Sequence, residues 1–537
     1  MEMNAKKFLA VPSLFLTLAA AAQSEIPWFL SAADTLGGVH LTEVEFSTSG
    51  QAVSPTKNQK DNDTVIVAVI DGGMDIAHPE LSDLIWTNAR EIADNGKDDD
   101  KNGYTDDVHG WNFLGNAAGE DFLKAGTEPF REYKRLRPLF KNVDAERLSG
   151  SRKAEYDYYK QMERAAKLDK YIIFTEFQRQ RAEAFRICDS LMRLQYGDQE
   201  TFIADFQLLE VADTTGLTQA LMTVASTPMM FMPEMPWREA VKRVNDEYEL
   251  SAKRIASLDT QDDDPHIKLG NDPEDFRHLR YGNNHIAPDP YHGTMVAGVI
   301  AACVRNVAQL PHPVRIMPVR AIPEGDEYDR DVAAAIRYAV DNGAKVVNMS
   351  FGKYVSPHRD EVLKAMEYAR RHDVLLVMAA GNDAKNVDSL PIYPDCRNAK
   401  GQRLEHLVVV GASTPHKQIA SFSNYGAANV DLLAPGEDIR STAPEGSFDT
   451  AQGTSIAAPV VTGVAALLRS CYPDLSAREI REILIRTASG LEAGPCPTTN
   501  PNAEPRTVEG KEVCLAGGIL NARDAFRLAA EISKRKK

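Results

Sequence analysis

The run Val65-Ile66-Val67-Ala68-Val69-Ile70 offers no polar side chain to water on either face. A half-solvated strand alternates, whereas an unbroken β-branched run is the pattern of a strand buried on both faces of a parallel sheet, which needs helices above and below it. The rest of the chain supplies them. Strand-like runs from Val314 to Ile322, Ala344 to Phe351, Val374 to Ala380, Leu407 to Gly411 and Val430 to Ala434 alternate with helical stretches such as His292 to Ala302, Arg330 to Asn342 and Arg359 to His372. This punctuation predicts an α/β fold, a doubly wound and mostly parallel sheet with helices on both faces.

In such sheets functional groups gather at the carboxyl ends of strands, and the first run ends in Asp71-Gly72-Gly73. Far downstream, Gly453-Thr454-Ser455-Ile456-Ala457-Ala458-Pro459 feeds the apolar run Val460 to Leu468. That is a tight turn opening a buried helix, so Ser455 sits at a helix N-terminus, where backbone N–H groups favour developing negative charge. A serine hydroxyl needs a base near neutral pH, and a histidine held by a buried carboxylate is the recurrent solution. His292-Gly293-Thr294 opens a small-residue helix. Asp71, His292 and Ser455 each stand at a junction leading into a helix, so one edge of the sheet can bring them together; taken singly, each is an ordinary polar residue.

These three blocks are similar to the signature blocks of the subtilisin-like serine peptidases (subtilases), and the chain order Asp, His, Ser agrees with that family. Asn348-Met349-Ser350-Phe351-Gly352 resembles its substrate-pairing strand, and Ala379-Ala380-Gly381-Asn382 its oxyanion segment. The layout resembles exported subtilases of the Bacteroidetes type over residues 60–114 and 285–525. The resemblance implies a triad of Asp71, His292 and Ser455, with Asn382 as oxyanion donor. It implies that Ser350, Gly352, Ala380 and Gly381 bind substrate. Two departures stand out: Gly72 occupies a position where a hydroxyl residue often supports the aspartate, and Met295 replaces a second histidine.

An acidic stretch follows the first block. Asp98, Asp100, Asn102, Tyr104, Asp106 and Asp107, with Gly103 at the sixth position, resemble a calcium loop, and hard oxygen donors at this density suit structural Ca²⁺. His109 stands where the loop's bidentate glutamate is expected, and a solvated acidic turn is the alternative. Residues 117–280 then form a long charged region with helical three-to-four spacing, broken by the apolar, proline-punctuated stretch Thr227 to Trp237. A helical insertion between 61–116 and 281–530 is the expected organisation. The stretch 227–237 is expected to pack inside it.

Lys6 and Lys7, the apolar run Phe8 to Leu18 and Ala19 to Ala22 have the layout of a signal peptide ending near residue 23. Residues 24–60 read as an N-terminal arm or short pro-segment. An exported protein, periplasmic or extracellular, is expected, with no membrane insertion, since no later segment reads as apolar enough to span. A net charge of −16 argues against nucleic acid as a partner. Six cysteines are too few for a disulfide scaffold; Cys303 and Cys471 read as buried thiols, and Cys496 and Cys514 as a pair flanking a loop. The expected activity is hydrolysis of polypeptide substrates through an acyl-enzyme. The alternative is a silent protease scaffold whose insertion binds a partner. Oligomeric state and cleavage preference are not legible.

Overall fold

The computed structural model describes residues 27–31, 37–44, 64–211, 216–259, 264–307, 309–500, 502, 504 and 506–536. The unbroken apolar run forms β1 (Val65–Asp71) at the heart of a seven-stranded parallel sheet. Its companions are β2 (Trp111–Asn112), β3 (Val314–Arg320), β4 (Ala344–Met349), β5 (Leu375–Ala379), β6 (Leu407–Ser413) and β7 (Leu432–Pro435), in the order β2-β3-β1-β4-β5-β6-β7. Side chains alternate between two cores: Val65, Val67 and Val69 pack with Val296, Ile300, Val460 and Leu467, while Ala68 and Ile70 pack with Val332, Ile336 and Val362. The chain builds β3 on one side of β1 and β4 on the other, so the winding reverses at β1. Its carboxyl end therefore opens onto the crevice where α/β proteins place their sites.

The helices fall into two groups. In the insertion are α1 (Glu128–Phe140), α2 (Gly150–Ala165), α3 (Leu168–Tyr196), α4 (Ile203–Gln207), α5 (Thr218–Ala225), α6 (Trp237–Ala256) and α7 (Pro265–Lys268). On the main body are α8 (Tyr291–Arg305), α9 (Asp329–Asp341), α10 (Arg359–Arg371), α11 (Thr454–Cys471), α12 (Ala477–Thr487), α13 (Gly510–Val513) and α14 (Ala522–Lys536). Between β7 and α11 an antiparallel hairpin, β8 (Ile439–Ala443) with β9 (Ser447–Ala451), adds an element that the strand reading did not anticipate. A capping box opens α12, with Ser476 and Glu479 bonding each other's backbone.

The insertion leaves and re-enters at one place, where Asn112 and Asn283 exchange backbone hydrogen bonds of 2.8 and 3.1 Å. It holds two small cores of its own. Trp237 is stacked against Phe185 and Phe206 in one, and Phe130, Leu136, Phe140, Tyr159 and Met162 form the other. The stretch 227–237 is only partly a packing segment: Met229 and Trp237 are buried, but Phe231 is 89% exposed.

Three further expectations meet the structure. The segment expected to be a signal peptide lies outside the described residues; of the N-terminal arm, Phe29, Leu30, Val39 and Leu41 are buried in the main core, and the N–H of Ala522 in α14 donates to the carbonyl of Val39 at 2.8 Å. One later helix, α11, is after all long and apolar enough to cross a membrane by length and composition, but 89% of that window is buried inside the protein, as a central helix packed on the sheet must be. Finally, all six cysteines are free thiols. Cys496 and Cys514 do not pair: the Cys496 thiol lies 3.5 Å from the Tyr425 hydroxyl, whereas Cys514 is buried beyond α13, facing the carbonyls of Gly510 and Gly518. Cys303 is a buried thiol, as expected, and Cys471 is partly so.

Candidate active site

Asp71, the last residue of β1, is 4% exposed, and its carboxylate receives His292 Nδ1 at 2.8 and 3.0 Å. A carboxylate only accepts, so Nδ1 carries the proton and Nε2 is left as the basic nitrogen. The charge of Asp71 outweighs burial and holds the imidazole above its ordinary pKa. Close approach makes the contact possible. Gly293 lets α8 touch the end of β1; a Cβ there would lie 2.0 Å from the Gly73 carbonyl oxygen. The missing hydroxyl at position 72 is replaced by that residue's own backbone, whose N–H donates to Asp71 Oδ1 at 2.8 Å.

Ser455 is the second residue of α11. Gly453, at φ 146°, makes the turn that starts the helix, a conformation L side chains avoid. A Cβ there would meet Ser455 Oγ at 3.0 Å and Asn382 Nδ2 at 3.4 Å, so both atoms border one small space. Asn382 is oriented by Thr454, whose N–H and hydroxyl donate to Asn382 Oδ1 at 2.8 and 2.9 Å while the hydroxyl accepts from Gly381 N–H at 3.0 Å. This fixes the amide with Nδ2 directed away from Thr454. The Ser455 N–H, in the first turn of α11, has no backbone acceptor among the described residues. Two amide donors therefore stand beside the hydroxyl. Among the described residues no hydrogen bond joins Ser455 Oγ to His292. The serine's main chain is held from beneath, by a buried relay in which Thr462 donates to Asn348, Asn348 to the Ser350 hydroxyl, and that hydroxyl to the Ser455 carbonyl at 2.7 Å.

The substrate-binding expectation divides. Phe351 and Gly352, just past the end of β4, make no backbone hydrogen bond among the described residues and can pair with an extended chain. Ser350 has its hydroxyl engaged in the relay instead. Ala380 and Gly381 are unavailable, because the N–H and carbonyl of each already bond Val410, Asn424 or Thr454. Thr454 and Asn348 were not singled out from the sequence as positioning groups, although both lie inside the quoted motifs.

The acidic loop also departs from expectation. The two carboxylate oxygens of Asp98 accept from Asn102 and Gly103 N–H, those of Asp106 from Asn95 and Gly96 N–H, and Asn102 Oδ1 from Tyr104 N–H. The Tyr104 ring is buried against Trp111 and Tyr338. Asp100 and Asp107 do converge, joined by Glu91, with one oxygen from each within 4.8 Å of the others. Glu91 was missed because it precedes the loop by several residues. Three carboxylates at this spacing fit a hard cation.

The description of the subtilase family matches residues 251–511, a span holding His292, Asn382 and Ser455 but not Asp71. Subtilisin DY of Bacillus licheniformis is 34% identical over 205 residues, 37% of this chain and 71% of that protein. The chain belongs to the subtilase family. A thermophilic serine proteinase of Bacillus sp. (strain AK1) is 36% identical over 45% of this chain and 57% of its own length. The cell wall-associated protease of Bacillus subtilis (strain 168) is 35% identical over 44% of this chain, which spans only 26% of that larger protein.

Proposed function

We propose that this subtilase is an exported serine endopeptidase, periplasmic or extracellular, acting on polypeptides. The observation that carries the reading is the Nδ1 contact of His292 with buried Asp71, because it leaves Nε2 as a base facing the crevice. Ser455 Oγ attacks the peptide carbonyl as His292 takes its proton. The tetrahedral oxyanion accepts from Asn382 Nδ2 and the Ser455 N–H; His292 then protonates the leaving amine, and water hydrolyses the acyl-enzyme by the same route in reverse. Substrate backbone lies along Phe351 and Gly352. Support for export rests on the charged, apolar and alanine-rich N-terminal sequence. The test is casein or reporter-peptide cleavage by wild type and Ser455→Ala. Loss of kcat by roughly 10⁵–10⁶-fold is expected, and equal activity, or equal inactivity, in both would overturn the reading.

The second reading, in which the insertion binds a partner on an inert scaffold, draws on the exposed Ile173 and Phe231. Equal inactivity would favour it.

Glu91, Asp100 and Asp107 would hold a structural Ca²⁺, tying together the loop between β1 and β2. Such a site stabilises only the folded chain, so a chelator is expected to lower the thermal midpoint by several degrees. An unchanged midpoint would remove calcium from the account.

A further inference from the structure

Arg320 ends β3, in register with Asp71 on one side and Asn112 on the other. Its side chain is 1% exposed and, among the described residues, has no carboxylate within ion-pair distance, although Asp121, Asp289 and Asp331 lie near enough to be felt. Burial brings its pKa down to about 10, so it remains a cation at neutral pH. A buried guanidinium without a bonded counter-ion is costly unless its donors meet fixed acceptors. Here they do: Nε donates to the carbonyls of Gly72 at 2.8 Å and Pro288 at 3.2 Å, Nη1 to Asn112 Oδ1 at 2.8 Å, and Nη2 to the carbonyl of Phe122 at 2.7 Å.

Three of the four acceptors are backbone carbonyls from different segments. Gly72 follows Asp71, Pro288 begins the lead-in to His292, and Phe122 lies at the root of the insertion. One rigid planar group thus holds the turn carrying the aspartate against the segment that delivers the histidine. Arginine suits the position where lysine does not, because only its fork of donors can satisfy several carbonyls in fixed directions. We propose that Arg320 is a positioning residue that sets the Asp71–His292 contact and ties it to the base of the helical insertion. This rests on the proteolytic reading, in which that contact keeps the base oriented. Misplacement of a base by about an ångström costs roughly 10²-fold in rate, so one buried side chain outside the triad has this leverage.

The experiment uses the full chain, with Arg320→Lys, Arg320→Gln, Asp71→Asn and the Lys/Asn double variant, assayed on a reporter peptide and by the rate of serine labelling with a phosphonate. Circular dichroism confirms folding. Arg320→Lys is expected to fold, to lose about 10- to 100-fold in kcat, and to keep KM within about twofold. The charged groups acting on His292 are Asp71 and Asp289. Looser contact with Asp71 lowers the imidazole pKa, so the acid limb of kcat/KM moves to lower pH. In the Asp71→Asn background the lysine change should add less than about twofold, since the contact it sets is already altered. An unmoved acid limb, a loss of the same size in both backgrounds, or a lysine variant that cannot fold would overturn the proposal. A wild type unable to cleave would instead remove the reading on which it rests, and the proposal with it.

Discussion

The sheet and the helical insertion bury their chains by opposite means. Around β1 and α11 nearly every side chain is apolar and inaccessible, because helices cover both faces of a parallel sheet. The insertion has two small cores and lines its helices with i,i+3 and i,i+4 ion pairs, among them Arg152–Glu155, Arg179–Glu176, Arg186–Glu183 and Lys242–Asp246. Such exposed pairs add only a few tenths of a kcal/mol each. The first half of α3 leaves Ile172, Ile173, Phe174 and Phe177 in solvent. The sheet is rigid enough to hold a catalytic geometry, whereas the insertion depends on where it is fastened.

The fastening is charged and buried. Lys353, whose side chain is 2% exposed and which directly follows Phe351 and Gly352, bonds Glu128 of α1 at 2.6 Å and Asp329 of α9 at 2.8 Å. Burial pulls its ammonium down, but those carboxylates more than reverse this and hold it above its ordinary pKa. A second join is polar too, with His266 of α7 bonding Asp331 of α9 at 2.8 Å, both fully buried. Removing one partner of a buried pair leaves an uncompensated charge, which costs about 3–5 kcal/mol. Lys353→Met should therefore be the most damaging substitution outside the catalytic groups, by denaturant unfolding. A loss below about 1 kcal/mol would mean that the insertion is not held there. Glu128→Gln should cost less, because Asp329 still pairs with the lysine.

Most of the sheet was legible because its signal is local. Unbroken β-branched runs and glycine-rich helix starts declare their own environment, and β1, β3 to β7 and α8 to α11 fall within a few residues of their expected positions. In the insertion a different signal replaces that pattern, charge with helical three-to-four spacing. Less legible were contacts made across the fold. Nothing in the spacing of Asp98 to Asp107 says that Asp98 and Asp106 cap backbone N–H groups, or that Glu91, itself accepting from the Asp100 and Asp106 N–H groups, meets Asp100 and Asp107. The backbone of Ala380 and Gly381 is likewise consumed by Asn424 and Thr454, which lie far off in sequence. The hairpin of β8 and β9 was missed because β9, Ser447–Ala451, is almost wholly exposed and carries no hydrophobic alternation. A pairing of Cys496 with Cys514 looked natural along the chain, but the fold sends the two thiols to different neighbours.

A matched pair of truncations puts the smaller end of the contrast to the test. Leu467 in α11 is 0% exposed within the main core, and Ile173 in α3 is 70% exposed. Leu467→Ala removes buried methyl groups and leaves a cavity between helix and sheet, at about 2–5 kcal/mol. Ile173→Ala removes similar atoms from solvent and should fall within about 0.5 kcal/mol. If Ile173→Ala instead destabilises the isolated chain by more than about 1 kcal/mol, the side chain is covered, and the insertion is better packed than its surface implies. If stability holds but sedimentation changes with Ile173→Ala, the apolar start of α3 meets another molecule. Either outcome would change how the insertion is compared with the sheet, whereas a small effect on both measurements leaves α3 as a helix stabilised by its own ion pairs and by the core around Phe185.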